Sequence, residues 1–248
     1  MSRQPSASTA IRLSLAAVSA ALVCAVTMVF SVYVPQTRGF FNLGETMVYA
    51  VAMLLGPFIG SFAGGVGSMF ADILLGYYVY APATLVVKAL EGGVVGLLSR
   101  KGGALPEYYS RRDWKIFTTE MGVLVGILIG LVGFLYYSGS VELSSGIVSF
   151  GTPTIFIPAV FWFVIGTFVA LLIAAIAFLS EPEFGLMIVS TIFGGLIMVT
   201  GYFLYEQLFL GVFALAEVPI NIGQMTIGLV VAIPVVKVVR RALPQLRR

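Results

Sequence analysis

Apolar residues dominate this chain in long unbroken blocks, with the polar positions gathered in short clusters between them. A block of about 20 apolar residues is the length a helix needs to cross the roughly 30 Å hydrocarbon core of a bilayer. Strands of a membrane barrel would instead give segments of about ten residues with alternating polarity. The pattern predicts an all-α integral membrane protein, a single membrane domain over 1–248 with about eight transmembrane helices. These are expected at residues 11–34, 45–55, 59–76, 82–99, 117–137, 154–179, 185–205 and 218–236, the second being the shortest. The first apolar run is longer than the roughly 7–15 residues of a secretory leader, so it reads as a span.

The interruptions have physical causes. Gly56-Pro57 ends the second helix, because proline disfavours helix in the residue before it and has no amide to donate. Pro82 suits the first turn of the fourth helix, where a missing amide costs little. Residues 100–116 form a basic hydrophilic loop, and 138–153 a loop rich in serine and glycine. Small residues recur at four-residue spacing at Ala16 and Ala20, at Ala17, Ala21 and Ala25, at Gly56, Gly60 and Gly64, and at Gly122, Gly126 and Gly130. Such spacing lets two membrane helices approach closely, within one chain or between chains.

Composition sharpens this picture. The chain is 59% hydrophobic and 10% charged, against about 25% charged in an ordinary soluble domain. It has no histidine and one cysteine, Cys24, which lies in the first apolar block. The commonest general base and metal ligand is therefore missing, and so is any thiolate cluster. No phosphate-binding G-x-x-x-x-G-K-[ST] loop occurs either. An enzyme is not expected, nor a cofactor, a metal or a nucleic-acid partner. Of the 14 lysines and arginines, 12 fall in segments that share one side of the membrane if the amino terminus is inside. Only Arg38 lies in a loop on the other side, so both termini are expected in the cytoplasm.

The intramembrane polar residues collect at the opposite, outer end. Asn42 and Glu45 open the second helix, and Asp72 lies one turn from the end of the third. Lys88 comes six residues after Pro82, about 9 Å into the fourth helix. Glu91 follows one turn deeper, on the face that also carries Thr84. Tyr202 and Glu206 are near the end of the seventh helix, while Glu217, Asn221 and Gln224 make one stripe at the start of the eighth. Lys88 and Glu91 are equally well spaced for a purely local ion pair, which Asp72 could join. Phe40 and Phe41 are candidates for a lid. Charges inside a bilayer are costly, and their bias to one depth points to an outward-facing cavity for a polar small molecule.

At these residues the chain resembles the substrate-binding S component of an energy-coupling factor (ECF) vitamin transporter. The resemblance rests on NLGE beginning at Asn42, ADILLGY around Asp72, K-x-L-E-G at Lys88 and AEVPINIGQ ending at Gln224. It implies a bundle of six core helices, four of them over 11–99 and two over 185–238, with 117–179 as an inserted helical hairpin. It also implies a substrate-specific subunit that captures a water-soluble vitamin or precursor, of the riboflavin, pyridoxine or thiamine-precursor class, and delivers it inward. The substrate-binding residues expected from depth and polarity are Asn42, Glu45, Asp72, Lys88, Glu91, Tyr202, Glu217, Asn221 and Gln224. The implied partners are a transmembrane coupling protein, met by Ala16 and Ala20 on the first helix, and two ATPases. A proton-coupled carrier using Asp72 and Glu91, with no ATPase partners, is the alternative reading.

Overall fold

A computed structural model describes residues 6–34, 39–100, 111–136, 138–142, 144–145, 154–179 and 182–243. Eight α-helices occur among them: α1 (Ser6–Val29), α2 (Gly44–Leu55), α3 (Pro57–Leu75), α4 (Ala81–Arg100), α5 (Arg111–Tyr136), α6 (Ala159–Leu179), α7 (Pro182–Glu206) and α8 (Glu217–Ala242). Six of them, α1, α3, α4, α5, α7 and α8, are long and apolar enough to cross a membrane, while α2 and the 159–175 stretch of α6 are shorter. Arg3, Arg38, Lys101, Arg247 and Arg248, counted above in reading the orientation, lie outside the described residues.

The expectation of helices alone is corrected at one end of the bundle, where five short strands occur: β1 (Ser31–Val34), β2 (Gly39–Asn42), β3 (Gly139–Glu142), β4 (Ser144–Ser145) and β5 (Thr154–Ile157). The first span was expected to reach residue 34 and the sixth to begin at 154. Instead α1 stops at Val29 and α6 starts at Ala159. SVYV and TIFI are rich in β-branched and aromatic residues, which favour extended backbone. They are also apolar, so hydropathy alone merges them with the adjoining helix. Pro158 adds a local cause, since it holds Ile157 out of helical conformation. β1 pairs antiparallel with β2, Ser31 opposite Asn42, and on its other edge with β4, Val32 opposite Ser145. The connection between α5 and α6 thus supplies a strand to the hairpin that joins α1 to α2. β3 and β5 close the base of that connection as a second ladder.

The four-residue glycine spacing marks where backbones meet. A Cβ on Gly60 would sit 2.8 Å from the Gly92 carbonyl oxygen, and one on Gly64 2.8 Å from that of Lys88. The α3–α4 pair is therefore backbone against backbone. On α5, Gly126 meets the backbone of Gly166 on α6 in the same way. α5 and α6 pack chiefly on each other, whereas α7 lies against α4 and α8 against α2. Val125, Val169 and Ile173 of the α5–α6 pair join the main core of Met187, Ile188, Ile192 and Ile233.

The short α2 needs help at its inner end. Twelve residues span only about 18 Å, so its last carbonyls end inside the bundle. Arg240 of α8 donates to the Met53 carbonyl at 3.0 Å, and Arg100 of α4 to that of Leu55 at 2.8 Å. Both cations also oppose the negative end of the helix dipole. Gly56, at φ 90°, takes the left-handed turn into Pro57, and a Cβ there would strike the Arg100 guanidinium.

One expectation on α1 is reversed. Ala16 and Ala20 are buried, 4% and 7% exposed, against Val48, Val51, Ile59 and Ala63 of α2 and α3. They are part of the chain's own core and offer nothing to a partner. The next register, Ala17, Ala21 and Ala25, is exposed. The reason is helical geometry: one residue turns the face by about 100°, and the smaller face needed to let Gly67 of α3 touch the α1 backbone at Ala20 is the inward one.

Candidate functional site

The site is assembled at the end of the bundle where α1, α3 and α7 finish and α2, α4 and α8 begin. α2 is preceded by Asn42, the last residue of β2. Its side-chain oxygen accepts from the Gly44 amide at 2.9 Å, turning the strand into the helix. Its backbone amide and its side-chain amide both donate to the Gln224 Oε1, at 2.7 and 2.9 Å. Gln224 in turn faces Asn221 one turn earlier on α8, with Nε2 and Oδ1 3.5 Å apart. The predicted stripe on α8 is thereby tied to the start of α2, and the Phe41 ring lies against Gly223 between them.

Behind this ladder is a buried charge cluster. Lys88 Nζ is 3.1 Å from Glu91 on its own helix and also pairs with Glu45 on α2. The Tyr49 hydroxyl donates to Glu91 at 2.9 Å. Glu45 and Glu91 are essentially inaccessible, at 1% and 0%. They stand behind the cavity wall, and of this cluster only Lys88 reaches the cavity lining. Asp72, which by spacing could have joined this pair, is directed elsewhere. It shares a hydrogen bond with Thr84, and the Tyr202 hydroxyl donates to the same threonine at 2.9 Å. The Lys88 ammonium sits 5.6 Å from the Tyr202 ring centre, within range of a cation–π attraction.

These groups surround a small cavity. Asn42, Asp72, Lys88, Tyr202, Glu217, Asn221 and Gln224, seven of the nine residues expected to bind substrate, line it; Glu45 and Glu91 do not. Thr27, Ser68, Tyr80, Thr84 and Glu206 also line it; Thr84 and Glu206 were placed among the outer polar residues by the sequence, but none of the five was expected to bind substrate. Ser68 and Thr84 were within reach, each one turn from an expected residue on the same helix. Thr27 was not, because a single threonine in an apolar helix is ordinarily accounted for by a bond to its own backbone. It makes that bond too, to Val23 at 2.8 Å. Tyr49, the partner of Glu91, carried no signal at all within the apolar α2.

The cavity has an acidic side. Asp72 and Glu206 are 4% and 2% exposed, and Asp72 Oδ2 and Glu206 Oε2 have no hydrogen-bond partner in the protein among the described residues. Tyr80, in the α3–α4 connection, faces Glu206, Glu217 and Asp72. Burial, reinforced by these carboxylates, pushes its phenol well up, so it stays a neutral hydroxyl. No cluster of three or more histidine, cysteine or acidic side chains suited to a metal ion occurs among the described residues. A deep cavity with amides and hydroxyls on one side, carboxylates on another and two tyrosines can bind a polar small molecule.

Over residues 8–177 the sequence matches the family described as the ECF-type riboflavin transporter, S component. The chain belongs to this family. A protein of Pyrococcus woesei, described as "Uncharacterized protein in gap 3'region", is 46% identical over 74 residues, which is 30% of this chain and 49% of that protein. The chain thus spans about half the length of the curated relative it matches. For this S component the family match runs from α1 through α5 and most of α6, and stops before α7 and α8. Five of the twelve lining residues, from Tyr202 to Gln224, are therefore supplied by helices beyond the matched residues. The family is one of multi-pass membrane transporter components and not of enzymes.

Proposed function

We propose that this S component is the substrate-binding subunit of an ECF-type importer that takes a water-soluble vitamin from outside the cell. Riboflavin is the first candidate, by the family's description, ahead of pyridoxine and thiamine precursors. The observation that carries the reading is the cavity itself. It lies at one end of the bundle, is lined by polar side chains, and is backed by a charge cluster that fixes α2 to α4. A pocket in which a few polar groups converge suits a polar small molecule. The basic residues Arg100, Lys237, Arg240 and Arg241 lie at the far end, which fits a mouth on the outside and both termini in the cytoplasm. The nine substrate-binding residues then divide in role: seven touch ligand, while Glu45 and Glu91 position Lys88.

Inward delivery needs a transmembrane coupling protein and two ATPases. On α1 the face open to the coupling protein is the Ala17–Ala21–Ala25 register, in place of Ala16 and Ala20. The α5–α6 pair, joined to the rest mainly along α7 and α8, is an addition to a core of six helices. The test is direct. Protein purified in detergent should carry or bind riboflavin with quenching of its fluorescence at submicromolar concentration. In liposomes it should transport only when the coupling protein and ATPases are supplied. Absence of binding to all three vitamin classes sinks the assignment, and uptake driven by a pH gradient without ATPases replaces it with a proton-coupled carrier.

A further inference from the structure

Thr84 stands apart from Thr27, Thr191 and Thr226, which each donate to a carbonyl of their own helix. It meets two side chains from neighbouring helices instead. It accepts from the Tyr202 hydroxyl of α7 at 2.9 Å and shares a hydrogen bond with Asp72 of α3. A threonine has one proton to give, and so has a phenol. With the Tyr202 proton directed at Thr84, the Thr84 proton goes to Asp72, so the bonds run one way, from α7 through α4 to α3. All three residues are buried, Tyr202 at 8%, Thr84 at 2% and Asp72 at 4% exposed.

A second contact holds the ring of Tyr202. Lys88, one turn on from Thr84, brings its ammonium to 5.6 Å from the ring centre. Gly201 lets α7 come this close: a Cβ there would lie 2.8 Å from Val87, which packs in one cluster with Tyr202. Tyr202 is thus fixed at its hydroxyl and over its ring, along one face of α4. Its single donor is spent inside the protein, so what it brings to the cavity it lines is chiefly an aromatic surface. We propose that Thr84 is a positioning residue of this pocket: by tethering the Tyr202 hydroxyl it holds that ring as the aromatic wall against which the ligand's heterocycle packs. Thr84 needs no contact with the ligand to do so. This rests on the reading of the cavity as a vitamin site.

The experiment titrates riboflavin against the full chain in detergent and records the fluorescence lifetime of the bound flavin beside its affinity. Tyrosine in contact with a flavin shortens that lifetime by electron transfer, and phenylalanine does not, so the lifetime reports the ring rather than the fold. Thr84→Ser keeps the hydroxyl and should leave lifetime and affinity within about threefold of the unaltered chain. Thr84→Val is isosteric but takes the acceptor from a buried phenol, and should lengthen the lifetime at least threefold and weaken binding at least tenfold. Tyr202→Phe should lengthen the lifetime at least as much. In the Tyr202→Phe background, Thr84→Val should weaken binding by less than about twofold more, because the tether has already gone. An unchanged lifetime in folded Thr84→Val, or costs that add in full in the double variant, overturns the positioning role and leaves the vitamin site standing. Should Thr84→Val not fold, Tyr202→Phe decides: a lengthened lifetime supports the wall, and one as short as in the unaltered chain overturns it. If riboflavin does not bind, the same pattern of affinities among the variants must appear with pyridoxine or thiamine, whichever does. If none binds, the vitamin reading fails and the aromatic wall with it.

Discussion

Lys88 carries more than any other single residue. It is 4% exposed, lines the cavity, and neutralises carboxylates from two helices. Removing one partner of such a cluster leaves bare charge in a low-dielectric interior. Lys88→Met is therefore expected to destabilise the fold by about 3–5 kcal/mol. The triple variant Glu45→Gln, Lys88→Met, Glu91→Gln should recover most of that loss, because no charge remains to be solvated. Thermal unfolding in detergent measures both, and a triple variant no more stable than the single one contradicts the account. The spacing of Lys88 and Glu91 was readable from the chain, since three residues on a helix share a face. The second partner, Glu45, was not readable as a partner. Nothing local links residues 45 and 88, and only the packing of α2 on α4 brings them together. That same packing is why Glu45 and Glu91 look like ligand contacts in the sequence yet stand behind the wall.

At the scale of elements, periodicity was a good guide to helices and a poor one to strands. The glycine rows at Gly60 and Gly64 and at Gly126 predicted close approach, and each meets a neighbouring backbone. The row of alanines on α1 was read correctly as a contact face but in the wrong register. Two interleaved rows of small residues exist there, and sequence alone does not say which faces inward. The exposed row carries a separable expectation. Ala17→Trp with Ala21→Trp should leave riboflavin affinity within about twofold and reduce ATP-driven uptake at least tenfold, because the change lies on the outer surface of α1 and away from the cavity. Ala16→Trp should instead lower the yield of folded protein, as it drives a ring into Val48 and Val51. Uptake that survives the double change removes α1 as the coupling face. The strands escaped notice because β1 and β5 are apolar and abut helices directly. Only Pro158, ahead of α6, gave a local sign of where one begins and the other stops.

For the molecule as a whole, the division into a polar, cavity-bearing end and a basic end was the most legible property of the chain. Depth and charge bias both survive in the fold, since each depends only on counting residues along rigid helices. The orientation can be read with two single cysteines in a background where Cys24 is replaced by alanine. Tyr78→Cys, at the exposed α3–α4 turn, should react with a membrane-impermeant maleimide on intact cells. Ala242→Cys, at the end of α8, should react only after the membrane is opened. The reverse pattern would turn the cavity toward the cytoplasm and end the importer reading.

The two-residue strand β4 ties the α5–α6 pair into the mouth of the bundle. β1 has neighbours on both sides, and β4 is what covers its second edge. If residues 111–179 were removed to leave six helices, the backbone amides and carbonyls of Val32 and Tyr33 would lose their partners next to the ligand entrance. An uncovered strand edge is a template for another chain. Such a shortened protein would be prone to join mouth to mouth with its own copies, closing the entrance that the trimming was meant to simplify.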